Sequence, residues 1–243
     1  MCTVTYIPQA NNSFVLTSNR DEQPGRSPKN ISTINGDDIQ LVFPRDSGAG
    51  GTWIAMSDTD RTVCVLNGAF EAHQMRFDYR MSRGLMVLEF FQYAHADDFF
   101  SRFDFMGMEP FTMIICEQGA LYELRWDEHK AHVTPLDTAG FHIWSSTTLY
   151  EKVVRAKRER WFADWLQQKA DTSLESILDF HQRAGDGDPW NDVIMDRGFV
   201  RTVSITNVIK ASDMANMIYN DLIRSQQSQA NLALKNYNRL NNY

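Results

Sequence analysis

The sequence predicts an α+β protein built on antiparallel sheets. Three observations lead there. Short runs of β-branched and aromatic residues, separated by Asn, Gly and Pro turns, fill the first half. The hydrophobic period changes to a helical one in only a few windows. The order strands, helix, strands, helices, strands segregates the element types instead of alternating them, as α+β architectures do.

The elements follow in chain order. "CTVTYIP" and "SFVLTSN", joined by "QANN", read as a hairpin. "RDEQPGRSPKN" is a loop, since Pro24, Gly25 and Pro28 exclude regular structure. "LVFPRD" is a short strand, "SGAGGTWIAMS" a glycine-rich bend entering another, and "RTVCVLNG" a buried strand. "MSRGLMVLEFFQYA" is helical, with Ser82 as N-cap and Leu85, Leu88, Phe91 and Gln92 near one face. "FTMIICEQGALYELRWDEHKAHVTPL" gives two or three strands turning at Gln118-Gly119 and Asp127-Glu128.

"TLYEKVVRAKRERWFADWLQQ" is a long helix with an apolar stripe of Leu149, Val153, Ala156, Trp161 and Trp165 beside a charged face. "TSLESILDFHQRA" is a second helix, with Thr172 and Glu175 forming a capping box. "VRTVSITNVI" is a strand, and "MANMIYNDLI" is either a helix or the return arm of a hairpin across Ser212-Asp213. One domain is expected over residues 1–225, with a loosely held polar tail over 226–243.

Composition narrows the functional classes. With 43% hydrophobic residues the chain can build a substantial core. A net charge of −7 does not suggest a nucleic-acid partner, which would want a basic face. No stretch approaches the roughly 18 apolar residues of a membrane helix, and no signal peptide opens the chain. The expectation is a cytoplasmic, bacterial protein that binds a small molecule, with no membrane or nucleic-acid partner. Its oligomeric state is left open. His129 and His132 in "EHKAH" lack a third ligand, and "GAGGTW" lacks the helix and Lys of a phosphate loop. No metal and no cofactor is expected. Cys2, Cys64 and Cys116 form neither a CxxC pair nor a disulfide framework; Cys64 and Cys116 read as buried strand residues.

Cys2 is the first residue able to carry chemistry. Removal of Met1 would leave a thiol and a free α-amine on one residue. An α-amine of pKa about 7.7–8.0 is partly neutral near pH 7 and can act as a base for its own thiol. The plain alternative is a small residue following Met1. A second feature is the polar strand end Asn19, Arg20, Asp21 and Glu22. An Asp could orient the amine and an Arg could depress the thiol pKa, although a solvated ion-paired loop has the same composition. Pairing of the first two strands brings these signals together, because it sets Cys2 beside Ser18 to Glu22.

These residues and further stretches resemble the NRDE family, that of transport and Golgi organisation protein 2, within the N-terminal-nucleophile (Ntn) hydrolase superfamily. The resemblance rests on the "MC" start, "NRDEQPGRSP", "GGTWIA" at 50–55, "VLNGAF" at 65–70, "SRG" at 82–84, "EPFTMII" and "RTVSIT". It implies a four-layer αββα sandwich, two antiparallel sheets flanked by helices, with the N-terminal strand central. It also implies kinship with cysteine acylases that cleave non-peptide C–N amide bonds. On that pattern Cys2 is the nucleophile, Arg20 and Asp21 are its strand-end partners, Asn67 an oxyanion donor and Arg201 the late-strand arginine. Asn19, Glu22 and Trp53 join them as substrate-binding candidates. Asn67 reads equally as a turn residue before Gly68, and Arg201 as an ordinary strand-start charge. Ser146, in "HIWSST", stands where the acylases carry an oxyanion Asn, and is the fourth substrate-binding candidate. The resemblance also leaves room for a non-catalytic binding or carrier protein for a haem or acyl-CoA-type ligand.

Overall fold

The computed structural model describes residues 2–168 and 171–235, and of Cys2 the backbone only. The first hairpin forms as the sequence predicts. β1 (Cys2–Gln9) and β2 (Ser13–Glu22) pair antiparallel in continuous register from Cys2↔Arg20 to Gln9↔Ser13. Asn11 and Asn12 turn the chain with positive φ, a conformation Asn tolerates better than most residues.

The next strands, β3 (Ile31–Asn35), β4 (Gln40–Pro44), β5 (Ile54–Ser57) and β6 (Arg61–Asn67), belong to a second sheet. They are followed by α1 (Arg83–Phe90), α2 (Ala96–Arg102), β7 (Phe111–Glu117), β8 (Ala120–Trp126), β9 (Ala131–Pro135) and β10 (His142–Ser145). α3 (Lys152–Gln168) and α4 (Leu174–Arg183) lead into β11 (Arg201–Ala211), β12 (Met214–Asp221) and β13 (Gln226–Ala233). One sheet has the order β10-β1-β2-β11-β12-β13 and the other β3-β4-β5-β6-β7-β8-β9, each antiparallel throughout.

Val4, Tyr6, Leu16, Val208 and Met217 of the first sheet join Phe43, Ile54, Leu66 and Ile114 of the second in one core, which extends to Met86 and Phe90 of α1. On the outer face of the first sheet, Ile7 and Val15 pack with Phe162 and Trp165 of α3 and Ile177 and Phe180 of α4. The result is helices, sheet, sheet, helices: the αββα sandwich. β1 is an inner strand between β10 and β2.

Several local expectations need correcting. Of the expected apolar stripe of α3, Trp165 is buried and Trp161 packs half-buried against the core, but Leu149 precedes the helix and Ala156 is exposed. The buried residues are Arg158, Phe162 and Trp165, and Val153 is exposed. Arg158, on the face the sequence leaves charged and solvated, is thus inside. In α1, Ser82 caps the helix by accepting the Leu85 amide, but Met86, Val87 and Phe90 are buried while Leu85 is exposed. α4 is capped by Ser173, not Thr172.

"MANMIYNDLI" resolves as strand β12, turned by Ser212 at φ 51°. The polar tail expected from residue 226 is in its first part an edge strand. β13 pairs with β12 from Asp221↔Gln226 to Met214↔Ala233, its polar residues suiting a strand with one free edge. The rest of that tail, 236–243, lies outside the described residues. Among the described residues no helix is long and apolar enough to cross a membrane.

Candidate functional site

The tetrapeptide Asn19–Glu22 lies at the end of β2, where the two-residue strand period divides it. Asn19 and Asp21 turn toward the helices; Arg20 and Glu22 turn toward a cleft of about 610 Å³. That cleft is also lined by Trp53, Asn67, Asp46 and Arg26.

Arg20 is almost fully buried. Its Nη2 donates to Asp46 Oδ2, its Nη1 to the Arg26 carbonyl at 3.2 Å, and its guanidinium lies 4.2 Å from the centre of the Trp53 ring. Arg26 bridges Glu22 at 2.7 Å and Asp46 at 2.8 Å. Asp46 Oδ1 further accepts the amides of Gly48 and Ala49, each at 2.8 Å. Burial alone would raise the Asp46 carboxyl; the Ala49 amide and the charges of Arg20 and Arg26 outweigh it and hold the pKa below the usual carboxylate range. Two cations and two carboxylates thus lock the cleft floor.

Trp53 completes that floor, and its indole N–H is buried with no hydrogen-bond partner among the described residues. On the opposite wall Arg83 pairs with Glu109 at 2.9 Å, and Glu109 faces His73 Nε2 at 3.2 Å. Two glycines let the walls approach. A Cβ on Gly51 would stand 2.3 Å from the Gly84 carbonyl carbon, where the Thr52 amide donates to the Gly84 oxygen at 3.0 Å. Gly68 has φ +81°, and a Cβ there would meet Thr147 Oγ1 at 2.0 Å.

The other candidates fall in different places. Asn67 ends β6 and lines the cleft; its backbone carbonyl accepts Ser146 Oγ at 2.8 Å and the Thr147 amide at 3.2 Å. Ser146 is buried immediately behind Asn67, with its hydroxyl donated to that carbonyl. Arg201 begins β11 opposite Glu22, but its side chain is half-exposed and pairs with Asp196 at 2.8 Å.

Asn19 is not at the cleft. Its Nδ2 donates to the carbonyls of His181 at 2.8 Å and Val193 at 3.1 Å, and its Oδ1 meets His181 Nδ1 at 2.6 Å. Asp21 is fully buried on the same face and accepts the Tyr150 hydroxyl at 2.5 Å and Thr202 Oγ1 at 2.7 Å. Burial raises its pKa above the ordinary value, partly offset by the charge of Arg158 and by those two hydrogen bonds. Cys2 is the register partner of Arg20, so β1 begins beside the strand end that supplies the cleft. Cys64 and Cys116 are buried and, among the described residues, in no disulfide, and burial pushes the Cys116 thiol far up.

Asp46, Arg26, Arg83, Glu109 and His73 escaped the sequence reading. Four of them stand in or next to stretches that carried the resemblance: Arg26 in "PGRSP", Arg83 in "SRG", Glu109 in "EPF" and His73 shortly after "VLNGAF". Asp46 had no such signal, being one acid at the end of "LVFPRD".

The architecture matches solved structures over most of its length. Two variants of conjugated bile acid hydrolase from Clostridium perfringens superpose with TM-scores of 0.53 and 0.57. They share 10% and 11% sequence identity with this chain, and the matches cover 95% and 94% of it and 92% of each of theirs. An N-acylethanolamine-hydrolyzing acid amidase orthologue from Caenorhabditis elegans matches with a TM-score of 0.57 at 9% identity, over 85% of this chain and 92% of its own. These are likenesses of fold, and the fold is that of the Ntn hydrolases. No curated protein sequence matches the chain. The family model described as Transport and Golgi organisation 2 matches residues 1–207, and with the sandwich and the Asn19–Glu22 strand end in place, the chain belongs to that family.

Proposed function

We propose that this protein is an N-terminal-cysteine amidohydrolase acting on the non-peptide C–N amide bond of a small acylated molecule. The observation that carries the reading is the pairing of Cys2 with Arg20 at the strand end whose Arg20 and Glu22 line the cleft. In this scheme Met1 is removed and the α-amine of Cys2 takes the thiol proton. The sulfur attacks the amide carbonyl, an S–C bond forms, the C–N bond breaks and the amine leaves with the proton. Water then cleaves the thioester, releasing the acid and restoring the thiol. Asp21 orients the α-amine, Arg20 favours the thiolate, and Asn67 is the side-chain donor to the oxyanion. Trp53, with its unpartnered indole N–H, offers the substrate a flat apolar face and one donor. Likeness to hydrolases of conjugated bile acids and N-acylethanolamines favours an acyl amide as substrate class.

A second reading keeps the cleft for binding alone, with a haem or acyl-CoA-type ligand as its cargo. Ser146 favours it, because its hydroxyl is donated to the Asn67 carbonyl and supplies no oxyanion donor in place of the acylases' Asn. Hydrolysis of a panel of acyl amides and activated acyl esters, with Cys2→Ala as background, separates the two. Turnover lost in Cys2→Ala supports the enzyme; no turnover of any member by the wild type, with retained ligand binding, supports the carrier.

A further inference from the structure

Among the described residues the largest fully buried side chain is an arginine, Arg158. It projects from α3 into a polar layer between the first sheet and its helices. Nη1 donates to the hydroxyl of Thr3, the residue after Cys2. Nη2 donates to the carbonyls of Asn191 at 3.0 Å and Asp192 at 2.6 Å, and Nε to Asn191 at 3.2 Å. Its guanidinium lies 3.6 Å from the centre of the Tyr150 ring, whose hydroxyl donates to Asp21. Burying a guanidinium is costly unless it is held by hydrogen bonds and opposed by a counter-charge. The counter-charge here is Asp21, whose second oxygen accepts Thr202. One arginine therefore touches the strand that begins at Cys2 and the ring that holds Asp21.

We propose that Arg158, Tyr150 and Thr202 are positioning residues that hold the Asp21 carboxyl in place at the end of β2, next to the start of β1, and so set the reactivity of Cys2. The proposal rests on the reading of Cys2 as nucleophile and adds to it the device that tunes it. The two hydroxyls and the guanidinium all favour the carboxylate over the acid, against the burial that opposes it. A carboxylate beside the α-amine raises the basicity of that amine and favours loss of the thiol proton.

The other charged or titratable groups around this layer do not replace the network. His181 of α4, bonded to Thr5 and Asn19, has its pKa lowered to about 3 by burial and by Arg158, and is neutral near pH 7. Arg197 lies 5.5 Å from the Tyr150 ring and donates to the Leu149 carbonyl. Asp196 and Arg201 pair with each other at the edge of β11.

The test measures alkylation of Cys2 by iodoacetamide as a function of pH, with peptide mapping and a thermal melt on each variant. Tyr150→Phe and Thr202→Val each remove one hydroxyl from Asp21. Each is expected to slow Cys2 alkylation at neutral pH by about tenfold, the loss of one hydrogen bond to a charged group, and to move the pH profile upward. Arg158→Met is expected to move it in the same direction. Should that variant fail to fold, the two hydroxyl variants decide. A lower melting temperature with an unmoved rate and profile in the folded variants would overturn the proposal and leave a purely structural network. If wild-type Cys2 reacts no faster than the same thiol in the urea-unfolded chain, the nucleophile reading itself fails, and this proposal with it.

Discussion

The Ser146 hydroxyl donates to the backbone carbonyl of Asn67 at 2.8 Å, tying the segment after β10 to the end of β6. The Thr147 amide makes the same crossing, and Gly68 gives way to Thr147. Ser146, a substrate-binding candidate from the sequence, thereby braces the backbone behind the cleft wall. Ser146→Ala is expected to lower stability by about 1 kcal/mol, the worth of one hydrogen bond, measured by urea unfolding. Ser146→Asn, enlarging a buried side chain, is expected to cost about 1–3 kcal/mol and not to raise turnover. A gain in turnover would restore the oxyanion role.

The floor of the cleft depends on Asp46. Removing it leaves the buried Arg20 and the half-buried Arg26 short of a shared carboxylate. Asp46→Ala is expected to destabilise by about 3–5 kcal/mol, as for a broken buried ion pair. The control is Lys157→Ala, which removes the exposed pair with Asp186 and should leave the unfolding midpoint unchanged. Equal effects of the two changes would show that the cleft floor is not held as described.

His181 makes stability depend on pH. Its folded pKa of about 3 lies below the ordinary 6.5 because burial and Arg158 disfavour the cation. Such a group contributes stability that is present above the unfolded pKa and is lost as pH falls toward the folded one. Unfolding free energy should therefore decline from about pH 6.5 toward pH 3, by as much as several kcal/mol from this residue. His181→Gln is expected to flatten that decline. An unchanged slope in the variant would assign the acid sensitivity elsewhere.

Much of this was legible in the sequence, and what was not has physical reasons. The β1–β2 hairpin declared itself through β-branched runs and an Asn-Asn turn, and its register followed from the turn. The Asn19–Glu22 motif was visible too, but its division was not: only a strand period separates Arg20 and Glu22 at the cleft from Asn19 and Asp21 under the helices. Arg158 was unreadable, since an arginine in a charge-rich helix looks like a solvated face. β13 was missed because a polar edge strand has no apolar pattern and takes its order from pairing with β12. Asp46 acquires meaning only through Arg20 and Arg26, which the fold brings to it.

The three thiols should differ sharply. Cys64 and Cys116 are buried among apolar strand residues, and burial opposes the Cys116 thiolate. Competitive alkylation of the native protein is expected to modify Cys2 alone, with Cys64 and Cys116 reacting after denaturation. Equal native labelling of all three would remove the case for an activated nucleophile.

The central claim is tested most directly by intact-mass measurement of the native protein after brief exposure to an activated acyl ester. The mature chain is expected to lack Met1, to gain one acyl group as a hydroxylamine-sensitive thioester on Cys2, and to lose it again as water completes turnover. Cys2→Ala should gain nothing. Retained Met1 in the native protein, or an acyl adduct that persists in Cys2→Ala, would contradict the account.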